Sequence, residues 1–198
     1  MQRDIMNILY ALLIVIFTTG FTIPSDCEYR QLNPDELRTM RRVVAKANRI
    51  AWYLIDTETL YYVPIDETPG WSPMEKHIAS FEPIPKVIFI VLHEYFLGRY
   101  ENGELIEWTN TLAGKTTKPG VYKVLKKDKD HYSKSFKTRD GRDTPMPNAL
   151  QIYGNVWIHG GDAYKPKHIS HDCINVVNDY AAELYSWAEV GTIVIIIN

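Results

Sequence analysis

The chain opens on an unbroken apolar run. No residue from Ile5 to Ser25 is charged, and the run follows a short leader containing Arg3, which is the layout of a secretory signal. Thr18 and Gly20 suggest cleavage after Gly20, and the run is also nearly long enough to stay as an uncleaved membrane anchor. It has no polar face, so it does not read as an amphipathic core helix. At Asn33-Pro34-Asp35-Glu36 a capping side chain, a proline at the first helical position and a carboxylate three residues after the cap predict a helix start. Leu37, Met40, Val43, Val44, Ala47, Ile50, Ala51 and Leu54 then recur at helical spacing as one stripe to be buried. Pro69, Pro73, Pro83 and Pro85 predict a connector without long regular elements.

Beyond the connector the pattern changes from helical to β. KVIFIVL is rich in β-branched residues and starts a sheet region near Val87, and Asn102-Gly103 between EYFLGRY and ELIEWTNTL is the strongest short hairpin signal. Lys118-Pro119-Gly120-Val121 predicts a type II turn leading into the strand VYKVL. From Lys126 to Pro147 charge and turn residues dominate, and the expectation is a solvated surface loop. ALQIY and VWIH flank Gly154-Asn155 as two further strands, the second running into His159-Gly160-Gly161. Asp179 to Ala188 predicts a helix closed by Gly191 before the apolar strand TIVIII. The fold class expected is mostly β with a few helices (α+β). Its parts are a signal or anchor at 1–20, a helical extension and Pro-rich connector at 28–86, and a β domain at 87–198.

Composition narrows the function classes. The 198 residues are 45% hydrophobic and 23% charged, and 22 basic against 24 acidic residues leave a formal charge of -2. That is ordinary globular composition without the basic footprint of a nucleic-acid binder, and no nucleic-acid partner is expected. Two cysteines, Cys27 and Cys173, exclude a disulfide scaffold and a four-cysteine zinc site. Lipidation of Cys27 is not expected, because Asp26 precedes it.

Chemistry concentrates between Ile158 and Asn175, where three of the six histidines, His159, His168 and His171, share a short stretch with Cys173. A catalytic thiol needs a base for its proton and donors for the oxyanion formed when it attacks a carbonyl. Cys173 is the candidate nucleophile and His159, at the end of a strand, the candidate base. The backbone N–H groups of His171, Asp172 and Cys173 are a candidate oxyanion hole. Two other readings stay open from spacing alone: His168-x-x-His171-x-Cys173 has metal-ligand spacing, and Cys173 has the bland reading of a small buried hydrophobe or a disulfide partner of Cys27, although the polar residues around it argue against simple burial. His77, His93 and His131 stand apart from any polar cluster and read as surface or satisfied core histidines.

The ordered features resemble the L,D-transpeptidase family with its YkuD-type catalytic domain. The family pattern of a histidine after a strand, a variable loop, and Ser-His-Gly-Cys followed by an aliphatic residue and Arg or Asn falls on His159, Ser170, His171, Asp172, Cys173, Ile174 and Asn175. Asp172 replaces the motif glycine. LAGKTTKPGVYKV is similar to the segment that carries Gly-Lys and a Thr-Pro-x-Gly turn, with Lys118-Pro119-Gly120 where that turn is usual. MPNALQIYGNVWIHG and AAELYSWAEVGTIVII resemble the approach to the catalytic histidine and the closing helix and strand.

The resemblance implies action on peptidoglycan stem tetrapeptides without metal or organic cofactor. It assigns Cys173 as nucleophile, His159 as general base and acid, Gly160 as the carbonyl that orients it, and His171 as a supporting residue. Attack at the L-centre of the third residue, commonly a diaminopimelate, would expel D-alanine and leave a thioester. A stem-peptide amine would resolve it into a 3→3 cross-link, an amine on an anchored protein would give attachment, and water would give carboxypeptidase or endopeptidase chemistry. Tyr153, Trp157, Ser170 and Asn175 are expected at the substrate, and the expected location is the bacterial periplasm or cell envelope. A carboxylate beside Cys173 opposes a second negative charge, which keeps a non-catalytic peptidoglycan-binding protein as a rival.

Overall fold

The computed structural model describes residues 27–48, 54–65, 72–114, 116–163 and 172–198. Contacts divide the chain into two compact units, one holding the described residues up to Glu75 and the other those from Lys76 to Asn198.

In the first unit β1 (Cys27–Arg30) pairs antiparallel with β2 (Tyr61–Pro64). The predicted capping box forms as written in the sequence. The Asn33 side chain accepts from the Asp35 and Glu36 backbone N–H groups, and Glu36 accepts from the Asn33 N–H at 2.9 Å. The single long helix does not form. It breaks at Met40 into α1 (Pro34–Thr39) and α2 (Arg41–Asn48). Met40, Val44 and Ala45 join Leu32, Ile55, Tyr61 and Val63 in a small core, whereas Leu54, at the end of the expected stripe, is 58% exposed. The break re-aims the helix, so Ala45 is buried although the straight-helix periodicity left it out. Ile50 and Ala51 of that stripe lie outside the described residues.

The second unit is built on one nine-stranded sheet, curled as half a barrel, of β3 (Lys86–Val91), β4 (Phe96–Glu101), β5 (Glu104–Ala113), β6 (Gly120–Lys123), β7 (Lys126–Lys137), β8 (Asp143–Tyr153), β9 (Val156–Gly160), β10 (Ile174–Val176) and β11 (Ile193–Ile197). Their spatial order is β6-β11-β3-β4-β5-β10-β9-β8-β7. Pairing is antiparallel except between β11 and β3 and between β10 and β9. The hairpin at Asn102-Gly103 forms with both residues at positive φ, 47° and 88°, the requirement of a two-residue turn that follows strand twist. Helix α3 (Asn178–Trp187) lays Tyr180, Ala181 and Leu184 on one sheet face, against Ile88, Ile90, Leu150, Ile158, Ile174 and Val194. This is the mostly β, α+β architecture expected.

Three expectations are corrected. Residues 126–147 are not a loop: β7 and β8 form a long antiparallel hairpin, with Lys126 opposite Gln151 and Ser133 opposite Thr144. β7 lies at the sheet edge and leaves most of its side chains in solvent, so its ladder is made by the backbone and no apolar alternation marks it. Gly120 opens β6 instead of closing a type II turn, and the Tyr122 hydroxyl donates to the Lys118 carbonyl at 3.1 Å to hold that connector. The N-terminal membrane anchor, expected as one route to the envelope, is also corrected. Spanning a bilayer takes about 20 apolar residues in a helix, and among the described residues no helix is long and apolar enough to cross one. The apolar segment of residues 5–25 lies outside the described residues.

Candidate active site

Strand β9 carries Trp157 and His159 two residues apart, and its parallel partner β10 places Asn175 opposite His159 and Ile174 opposite Ile158. Side chains alternate along strands. Ile158, Ile174 and Val176 accordingly enter the core under α3, and Trp157, His159, Cys173 and Asn175 belong to the opposite face.

His159 is 7% exposed, and its Nδ1 lies 2.9 Å from the Gly160 carbonyl oxygen. A carbonyl only accepts, so Nδ1 carries the hydrogen and Nε2 is left with its lone pair. Burial, reinforced by the charge of His131, pushes the imidazole down to about 4 against the opposing Gly160 bond. At neutral pH it is therefore an uncharged base. Gly160 has no room for a side chain: a Cβ there would lie 2.6 Å from Asn178 Oδ1 and 3.1 Å from Pro147 Cγ. The glycine lets α3 close on the strand that holds the base.

Cys173 precedes β10 and is pinned by the connector after β5. Its carbonyl accepts from the Gly114 N–H at 3.1 Å, and the Asp172 carbonyl accepts from the Thr117 hydroxyl at 2.9 Å. The thiol packs against Met146, Ala149 and Trp157, and Sγ donates to the Asn155 carbonyl at 3.7 Å. Burial pushes the thiol pKa up, a bond from the Trp157 backbone pulls it down, and the Asp172 carboxylate pushes it up again. Neither Cys173 nor Cys27 is in a disulfide.

The remaining expected residues divide. Asn175 reaches the Asp162 carbonyl from Nδ2 at 3.5 Å, and its Oδ1 is buried without a hydrogen-bond partner. Tyr153 is engaged elsewhere: it packs against the core under α3, stacks on Tyr122 with centroids 4.4 Å apart, and accepts from the Lys118 N–H at 2.9 Å. Ser170 and His171 lie outside the described residues, as does His168 of the alternative metal set. Among the described residues no three metal-ligating side chains gather.

The sequence reading passed over His131. From β7 its ring stacks on Trp157 at 4.1 Å and 25°, and its Nδ1 lies 3.1 Å from Asp128 Oδ2. Nothing in its local sequence signals that stacking, and the charge of the segment hid the strand that carries it.

Comparison with known proteins agrees with this architecture. The sequence pattern of the YkuD family, the L,D-transpeptidase catalytic domain, matches residues 85–196. No curated protein matches the chain. Among solved structures, an L,D-transpeptidase from Mycobacterium smegmatis is similar with TM-score 0.50 and 21% identity over 58% of this chain and 59% of its own. L,D-transpeptidase 3 from Mycobacterium tuberculosis, in complex with a faropenem-derived adduct, gives 0.50 and 18% over 58% and 60%. The L,D-transpeptidase of Xylanimonas cellulosilytica DSM 15894 (residues 123-326) gives 0.60 and 16% over 90% and 100%. This chain spans about three-fifths of the length of the two mycobacterial structures, and at these identities the likeness concerns the fold. The family pattern covers more than half of the chain and includes both the histidine strand and the cysteine turn. The chain therefore belongs to the YkuD family of L,D-transpeptidase catalytic domains.

Proposed function

We propose that the chain is a cysteine-dependent L,D-transpeptidase acting on peptidoglycan stem tetrapeptides. One observation carries the reading. A histidine with a basic Nε2 lies on a strand paired in parallel with the strand that Cys173 enters, on the same sheet face. In the proposed reaction Cys173 Sγ attacks the carbonyl at the L-centre of the third residue while its proton passes to His159 Nε2. The oxyanion is held by the backbone N–H groups of His171, Asp172 and Cys173. Collapse breaks the peptide bond, and the departing D-alanine amine takes the proton from His159. An acceptor amine then attacks the thioester, gives its proton through His159 to sulfur, and leaves as the new amide. The acceptor is a second stem peptide, giving a 3→3 cross-link, or an amine on an anchored protein.

A raised thiol and a depressed imidazole both favour the uncharged pair. Proton transfer in this scheme accompanies carbonyl attack and does not start from a preformed thiolate and imidazolium. The same raised thiol favours a second reading, a protein that binds stem peptides without acylation. Intact-protein mass spectrometry with tetrapeptide muropeptides and with a carbapenem separates them. The expected result is an adduct absent from Cys173→Ala, with dimeric muropeptide as product. An adduct with D-alanine loss alone assigns a carboxypeptidase, and a folded, reduced protein without any adduct assigns the binding module.

A further inference from the structure

On the sheet face opposite Cys173, helix α3 and strand β4 border a groove of about 550 Å3 lined by Arg99, Ala182, Glu183, Ser186 and Trp187. None of these residues takes part in the proposed chemistry at sulfur. Glu183 and Trp187 are four residues apart on α3, as are Ala182 and Ser186, so each pair shares a side of the helix, and Arg99 reaches across from β4. Arg99 Nη2 is held 3.0 Å from both Glu107 Oε2 and Glu183 Oε2, and its guanidinium carbon stands 5.5 Å from the centre of the Tyr180 ring. Both ion pairs use Nη2 and the Oε2 atoms, which leaves Arg99 Nη1 to donate and Glu183 Oε1 to accept. Trp187 is fixed as well: its Nε1 donates to Glu101 Oε1 at 2.5 Å, and its carbonyl accepts from Lys86 Nζ at 3.0 Å. Ala182 and Ser186 are exposed and small, and they leave the groove open.

Charge and shape define what fits. A simple anion entering the groove meets two carboxylates, and a simple cation meets the guanidinium, each a like-charge contact. A protein surface docked there would desolvate the ion pairs with one aromatic side chain to offset the cost. A neutral polyhydroxyl ring meets none of these penalties. Its C–H face lies on the indole, one hydroxyl donates to a fixed carboxylate oxygen, and another oxygen accepts from a fixed guanidinium N–H. We propose that the groove is a carbohydrate subsite for neutral N-acetylhexosamine rings of a glycan strand, with Trp187 under the ring, Arg99 and Glu183 on its oxygens and Ser186 beside the acetamide. Taking that strand to be the polymer that carries the stem peptides rests on the reading above. Groove and thiol lie on opposite faces, so the groove holds a strand next to the one whose peptide is attacked. Holding it raises the effective concentration of stem peptides at Cys173.

The probe is a neutral β-1,4-linked N-acetylglucosamine tetrasaccharide, titrated calorimetrically into the full chain and into its Ala182→Leu, Ser186→Leu and Glu183→Gln variants. All three positions are exposed on α3, so the variants should fold, which circular dichroism checks. The parent is expected to bind. Ala182→Leu and Ser186→Leu fill the groove and Glu183→Gln removes the charged acceptor, and each should weaken binding about tenfold. A second readout compares kcat/KM for stem tetrapeptides carried on glycan chains with the same tetrapeptides free in solution. The parent should prefer the glycan-borne form about tenfold, and Ala182→Leu should lose most of that ratio. A parent that does not bind the tetrasaccharide, binding that survives Ala182→Leu and Ser186→Leu, or equal kcat/KM for the two forms in the parent overturns the subsite. Failure of the underlying catalytic reading looks different: no Cys173 adduct forms with either form, while tetrasaccharide binding and its loss in the variants persist.

Discussion

At the residue scale the site is governed by two groups whose surroundings oppose charge on both. Cys173 is held up first by burial and further by Asp172, against the Trp157 backbone bond. Asp172→Gly removes the nearest negative charge, so the midpoint of a pH profile of Cys173 alkylation should move to lower pH while the fold, followed by circular dichroism, is retained. An unmoved midpoint would leave burial as the sole effective cause. His159 behaves in the opposite sense. With its imidazole pushed down to about 4, it stays available as a base well below the usual histidine range, and the acid limb of carbapenem acylation should fall near pH 4, not near 6.5. His159 and Cys173 were legible as candidates because the strand-ending histidine and the cysteine with its neighbours form an ordered pattern. His131 was not legible. Its relation to Trp157 is made by stacking across the ladder between residues 26 positions apart, and nothing in its local sequence announces that.

Elements turn those residues into a site. Gly160 admits α3 against β9, and Gly160→Ala would drive a Cβ to 2.6 Å from Asn178 Oδ1 and 3.3 Å from Ala181 Cβ. Overpacking of this kind costs about 1–3 kcal/mol, so a lowered thermal midpoint and slower acylation are expected together. Asn33 caps α1 through two backbone N–H groups, and Asn33→Ala should cost about 1 kcal/mol, read as a shifted urea midpoint. Elements with strong local signals were legible: the capping box, the Asn102-Gly103 turn, the buried strand β11 and the closing helix α3. Two were not. The break at Met40 is invisible to periodicity, because the helical stripe continues through it and only the small core decides where the chain turns. The β7–β8 hairpin is invisible because an edge strand with most side chains in water needs no apolar face.

For the whole molecule, the buried base ties stability to pH. The native imidazole resists protonation down to about 4, against an ordinary value of 6.5, so between those values the unfolded chain binds a proton that the native chain refuses. Stability from this group is complete above pH 6.5 and is lost as pH falls towards 4, by about 3 kcal/mol in total. Urea unfolding at pH 7 and pH 4.5 should show most of that loss, and His159→Gln should flatten the slope over the same window. The sequence by itself determined the candidate chemistry and its order along the chain: the candidate histidine, the cysteine motif, the strands around them and the β class of the fold. These depend on local residue types, on turn conformations and on short-range periodicity. Only the tertiary structure decided that β10 lies between β5 and β9, that Gly114 and Thr117 pin the cysteine turn, that Tyr153 is engaged away from the thiol, and that a charged hairpin stands over Trp157. Each of these is a pairing between segments distant in the chain, settled by which faces must be buried and which backbone groups must find partners, and neither condition is written in any one stretch of residues.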